Sequence, residues 1–147
     1  MQLTLYTDYS LRTLIYLGAV KRPATIAEIA GSFGISRNHL SKVANHLVHL
    51  GLVHSMQGKG GGLNLAVPPD EVRIGDVVRK VEPHFNLVEC FNREEDTCPI
   101  TPACGLKHIL AEAEVAFMTT LNRYTLQDML DSGDAMMSLL KEEKQTG

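Results

Sequence analysis

The chain has 147 residues, 44% of them hydrophobic, and a net charge of −3. That length and composition suit one domain with a core, or a small domain plus an extension, and argue against disorder. No apolar run approaches the ~20 residues that cross a bilayer, and the first residues, interrupted by Asp8, do not read as a signal peptide. The expectation is therefore a cytoplasmic protein with no membrane partner and no disulfides.

The charge is unevenly spread. Residues 1–67 carry six Lys/Arg against two acids, a net of +4, while residues 68–147 carry eight against fifteen, a net of −7. The first part can meet a polyanion although the whole chain is acidic. On charge alone, a solvated surface with scattered charges is the favoured reading.

Residues 7–20 read as a helix, with Leu11, Leu14, Ile15 and Gly18 on one face and Thr7 as N-cap. The stretch "TIAE" pairs Thr25 with Glu28 as a capping box. It opens a short helix with Ile26, Ile29, Ala30 and Phe33 inward, stopped by Gly34. Ser36 caps a third helix reaching about Leu50, with Leu40, Val43, Ala44 and Leu47 on the apolar stripe and Asn38, Lys42, Asn45 and His49 opposite. Short helix, Gly-containing turn and second helix make a helix-turn-helix.

Two short apolar runs, "LVHSM" and "LNLAV", flank the glycine-rich "QGKGGG" at 57–62. They predict a hairpin, and a hairpin directly after a helix-turn-helix is a wing. Residues 73–82 predict a helix on Ile74, Val77, Val78 and Val81. After an aperiodic stretch comes the longest helix, from Cys104 to about Asn122, with Leu106, Ile109, Leu110, Ala113, Ala116, Phe117, Thr120 and Leu121 on one stripe. That stripe packs either on its own domain or on its twin, and we favour the twin, because a two-fold dimer reads a palindrome. A short helix near 126–130 follows, and the tail from Asp131 reads as polar and frayed, with "AMMSLL" as a possible amphipathic turn.

The expected fold is thus mainly α with a small β-hairpin wing, a winged helix-turn-helix plus a long C-terminal dimerisation helix. The expected organisation is a DNA-binding domain at 1–83, a cluster-binding loop at 84–104, dimerisation helices at 105–131 and a polar tail at 132–147. Neither paired catalytic carboxylates nor a nucleophile with its base is recognisable, and "GKGGG" lacks the spacing of a P-loop. An enzyme is not expected.

All three cysteines lie in "ECFNREEDTCPITPAC", spaced C-x7-C-x5-C. Three buried inert thiols are one reading, but the stretch is polar and acidic. Structural zinc favours close cysteine pairs, which are missing, whereas an iron–sulfur cluster tolerates wider gaps. A fourth ligand is absent from the cysteine set. Glu89, Glu94, Glu95, Asp96 and His108 are local candidates, and a residue from elsewhere or from a partner subunit is equally open.

The stretches "LTLYTDYSLRTLIYL", "ISRNHLSKV", "GKGGGLNL", "RIGDVVRKVEP", "CPITPACGLK" and "YTLQDML" span nearly the whole chain. Together they resemble the Rrf-two family of iron–sulfur winged-helix transcription regulators, in particular its nitric-oxide-sensitive repressors. The resemblance implies a homodimer on palindromic double-stranded operator DNA, with nitric oxide attacking a [2Fe–2S] or [4Fe–4S] cluster. Cys90, Cys98 and Cys104 match the cluster cysteines, and Asp8 matches an aspartate that reaches the partner subunit's cluster in some relatives. A sibling branch has tighter cysteine spacing and a histidine three residues after the third cysteine. Here Lys107 holds that position and His108 comes one step late.

For DNA, Asn38 and Lys42 suit adenine and guanine edges, while Ser36, Arg37 and Ser41 suit phosphate or base contacts. His39 matches a position near the DNA in relatives, and His46 and His49 read as a solvated face. Gln57 replaces an arginine common before the first wing glycine in the family, leaving Lys59 to supply the charge. A zinc- or thiol-bearing module for protein contacts is the reading from another class.

Overall fold

A computed structural model of the chain describes residues 1–142. It is mainly helical, with one two-stranded antiparallel sheet. Helix α1 runs Leu5–Val20 and is capped by Thr4, whose hydroxyl accepts from the Thr7 amide at 3.3 Å. The expected cap, Thr7, lies inside the helix and is fully buried. Its hydroxyl is instead donated to Glu82, far along the chain. Ser10 and Thr13, also buried, return their hydroxyls to the carbonyls of Tyr6 and Tyr9 at 2.8 and 2.7 Å. Such back-bonding lets a polar residue sit in a core without an unpaired donor.

Helix α2, Ile26–Phe33, is capped by Thr25, which accepts from the Glu28 amide. The Glu28 carboxylate receives the Tyr16 hydroxyl at 2.9 Å and the Arg22 guanidinium at 2.5 Å, tying α2 to the end of α1. Gly34 at φ 63° turns the chain into α3, Arg37–His49, capped by Ser36. Leu40, Val43, Ala44 and Leu47 are all essentially without exposure, as their spacing predicts. Full burial of each larger side chain contributes about 1.5–3 kcal/mol.

Strands β1, Val53–Met56, and β2, Gly62–Leu65, pair antiparallel with Val53 opposite Leu65 and Met56 opposite Gly62. The hairpin is not free-standing. Leu63 exchanges both backbone hydrogen bonds with Ala24, at 2.8 and 3.0 Å, so the connection between α1 and α2 acts as a third short strand. Gly62, at φ 149°, lies so close that a Cβ would stand 2.8 Å from the Ala24 carbonyl. Only glycine fits there.

Helix α4, Ile74–Val81, buries the four residues its period predicts. Helix α5, Gly105–Leu121, is the longest, and α6, Leu126–Leu130, follows it. The expected polar tail is in part a helix, α7, Gly133–Glu142, which rests on α1 and α2; the rest of that tail lies outside the described residues. Helix α6 also packs on α1, with Leu126 buried in the main core and its amide bonded to the Val72 carbonyl. The helices expected at 105–131 pack differently: α6 lies on α1, while the end of α5 meets α4, with Met118 buried against Ile74 and Val78.

Candidate nucleic-acid interface and cysteine loop

The first turn of α3 projects its predicted contacts to solvent. Arg37, Asn38, His39 and Lys42 are exposed, as is the cap Ser36, while Ser41 is half-buried with its hydroxyl on the Arg37 carbonyl at 2.8 Å. Gln57 and Lys59 are exposed at the wing tip. The two predicted contact regions meet: Arg37 and Ser41 line one groove with Thr25 and Ala27 at the start of α2 and with Ser55, Gly58 and Gly61 of the wing. A polar, basic surface spread over a helix start and an adjacent hairpin is the arrangement that tracks a DNA backbone and groove.

Contacts that the sequence did not reveal hold this surface from behind. Tyr6, in the first turn of α1, donates its hydroxyl to the Lys42 carbonyl at 3.0 Å, and its ring lies 5.8 Å from that of His46. Burial pushes the Tyr6 hydroxyl above its ordinary pKa, so it stays a donor. His46 is half-buried beside this ring, whereas His49 is exposed. Leu5, Tyr6 and Tyr9 form a small, mostly apolar pocket with His39, Lys42 and Val43. An aromatic in a helix reads as core, so nothing in the sequence marked Tyr6 as a contact to α3.

The first turn of α1 is held at its other end by Glu82. The carboxylate accepts from the Thr4 amide at 3.2 Å, from the Thr4 hydroxyl at 3.1 Å and from the Thr7 hydroxyl. A carboxylate at a helix N-terminus is favoured by the helix dipole. Glu82 directly follows α4 and precedes the cysteine loop, so the loop's root and the start of α1 are fixed together.

The three thiols are free and partly exposed. Cys90 lies in the short turn Glu89–Phe91, and Cys104 is the N-cap residue of α5 after the turn Thr101–Ala103. No residue between Val81 and Met118 is buried. Cys90 lines an open hollow with His84, Arg93, Lys107 and His108. Glu89 and Asp96, two of the local ligand candidates, are occupied by hydrogen bonds within the loop, while Glu94, Glu95 and His108 are exposed. Asp8 pairs with Arg12 at 2.7 Å on the surface of α1. Among the described residues no three His, Cys, Asp or Glu side chains stand close enough to share a metal ion, so the structure brings neither the thiols nor Asp8 together at one point. The donor set nonetheless fits iron in kind: three unpaired thiols on one loop with no core of its own to hold them apart.

Among the described residues no helix is long and apolar enough to cross a membrane. Residues 3–132 match the Rrf2 (Rrf-two) family, described as iron-dependent transcriptional regulator. The chain is 49% identical over 144 residues to the HTH-type transcriptional regulator NsrR of Bacillus subtilis (strain 168), covering 96% of this chain and 98% of that protein. It is 46% identical to the NsrR of Halalkalibacterium halodurans, with the same coverage of both chains. Among solved structures, CymR (YrzC), the global cysteine regulator of B. subtilis, superposes with a TM-score of 0.69 at 25% identity, over 88% of this chain and 95% of that one. IscR of T. potens, at 23% identity and a TM-score of 0.69 over 90% of this chain and 88% of that one, shares the fold. These relatives are regulators and not enzymes, as the sequence leads one to expect. The winged-helix fold and the full-length match agree, and the chain belongs to the Rrf2 family of iron-dependent transcriptional regulators.

Proposed function

We propose that the chain is a homodimeric repressor that binds palindromic operator DNA through α3 and the wing, and that an iron–sulfur cluster on Cys90, Cys98 and Cys104 makes this binding sensitive to nitric oxide. The observation that carries the reading is a continuous set of contacts from the cysteine loop to the recognition helix. The loop leaves α4 at Glu82; Glu82 grips Thr4 and Thr7; and Tyr6, between those two, bonds Lys42. A change in the loop can therefore move the surface that meets DNA. A ligand shifts such an equilibrium only through its different affinity for the two arrangements.

The cluster, when bound, supplies the centre that nitric oxide attacks. The chain's own part is to hold it: the three thiolates ligate, and Arg93 and Lys107 beside Cys90 offset negative charge. Asp8 is proposed as fourth ligand to the partner subunit's cluster, which requires release of its surface pair with Arg12. Exposed ion pairs of this kind are worth at most about 1 kcal/mol, so their loss is a small cost against a metal–ligand bond.

The homodimer is supported by α5. Leu106, Ile109, Ala113, Ala116 and Thr120 are all exposed and follow a 3-4-3-4 spacing, the seam of a paired helix. Leu106 and Ile109 are 60% and 63% exposed, an apolar pair at one end of this seam that a partner helix would cover. On this reading α1 to α4 with α6 and α7 form the DNA-binding body, residues 84–104 the cofactor loop, and α5 the dimer contact, in the cytoplasm.

Purification without oxygen, followed by visible absorbance and iron and sulfide analysis, tests the cofactor. A coloured protein with matched iron and sulfide is expected. A colourless protein holding zinc would instead favour a structural module.

A further inference from the structure

We propose that Asp96 and Glu89 are positioning residues that pre-shape the cysteine loop, not ligands to the group it holds. The proposal rests on the cofactor reading above and adds to it which acids of the loop do which work.

One Asp96 oxygen, Oδ1, accepts both the Cys98 amide at 3.1 Å and the Thr101 hydroxyl at 2.9 Å. Thr101 opens the turn that ends at Cys104, and its amide bonds the Cys98 carbonyl at 3.3 Å, while the Cys104 amide returns to the Thr101 carbonyl at 3.4 Å. A single carboxylate therefore ties Cys98 to Thr101, the residue that opens the turn before Cys104. Glu89 works across the longer gap. Its Oε1 accepts the amide and the hydroxyl of Thr97, at 3.3 and 3.1 Å. Residue 89 immediately precedes Cys90 and residue 97 immediately precedes Cys98, so this clasp joins the neighbours of the first two cysteines.

These bonds matter because the loop has only turns and local hydrogen bonds to shape it. It has no strand, no helix longer than three residues and no buried side chain. Without a core, local side-chain-to-backbone hydrogen bonds decide the conformation. Oδ1 and Oε1 are each committed to two donors, so either acid reaches iron only through its second oxygen, a double role that the amide variant below separates from bracing. The acids brace the loop, and the thiols are left as its donors.

The brace and a ligand role predict different outcomes for an amide. Asparagine keeps the Oδ1 acceptor but is a poor iron ligand, so Asp96→Asn should behave as the parent, and Asp96→Ala and Thr101→Val should not. In the metal-free protein, hydrogen exchange at the Cys98 amide should rise about tenfold in Asp96→Ala and stay near the parent in Asp96→Asn. After anaerobic loading with ferrous iron and sulfide, loss of visible absorbance to EDTA should quicken in Asp96→Ala and Thr101→Val and stay unchanged in Asp96→Asn. Equal damage by Asn and Ala in the loaded protein would assign a ligand role and overturn the proposal. So would unchanged exchange in Asp96→Ala. A parent protein that takes up no cluster would remove the cofactor reading alone, since exchange in the metal-free chain still decides the brace.

Discussion

Tyr6 donates a hydrogen bond from its hydroxyl to the backbone carbonyl of Lys42 at 3.0 Å, so the first turn of α1 supports the middle of α3. The bond is made to backbone and fixes where α3 sits, not which base it reads. Tyr6→Phe keeps the ring against His46 and removes only this bond, with a cost of about 0.5–1.5 kcal/mol. Operator affinity measured by fluorescence anisotropy should fall between two- and tenfold, with the helical circular dichroism unchanged. Equal affinity would show that α1 does not position α3.

Glu82 is the second support of that turn. Glu82→Ala removes the charged acceptor shared by the buried Thr7 hydroxyl, the Thr4 amide and the Thr4 hydroxyl, leaving the two hydroxyls only each other at 3.1 Å, and bonds to a charged acceptor are worth about 1.5–3 kcal/mol. Urea unfolding should show a loss of about 2–3 kcal/mol at an unchanged m-value. A loss under half of that would mean the two threonines find other partners.

Gly62→Ala tests the anchoring of the wing. The new Cβ would meet Ala24 backbone at 2.8 Å, and backbone cannot step aside as a side chain can. Overpacking of this kind costs about 1–3 kcal/mol. DNA affinity should drop further than stability alone explains, because the hairpin is displaced from the groove it shares with Arg37. Hydrogen exchange at Leu63, whose amide bonds Ala24 at 2.8 Å, should report the release.

How much of this was readable in the sequence follows from the range of each interaction. Leu40, Val43, Ala44 and Leu47 announce α3 by their period, and Ser36 and Gly34 mark its start, all within one helix length. The wing followed from alternation around a glycine run. What escaped was long-range. Thr7 looks like a cap because the residue that uses its hydroxyl is 75 positions away. The Ala24–Leu63 bridge and the Tyr6–Lys42 bond likewise join distant segments. The tail at 133–142 reads as polar because only a narrow face of α7 meets α1 and α2. In the cysteine loop the spacing names the donors, but period and burial are both missing there, so the arrangement of the thiols had no local signature.

Ile109→Glu places a charge in the middle of the exposed α5 seam, where two copies would bring two carboxylates together. In the single chain Ile109 is 63% exposed, so the new carboxylate stays in water there. Analytical ultracentrifugation should show the parent as a dimer and the variant as a folded monomer. Operator affinity should fall by at least about a hundredfold, because one half-site alone then carries the binding. A variant that stays dimeric would place the interface elsewhere.

The most direct test joins the two ends of the molecule. Protein loaded without oxygen is titrated onto the palindromic duplex it selects from a random pool, before and after addition of nitric oxide, at one fixed salt concentration. Tight binding before and a loss of at least about tenfold after is the expected result, a coupling of roughly 1.4 kcal/mol or more. Equal affinity before and after would contradict a cluster that controls the recognition helix.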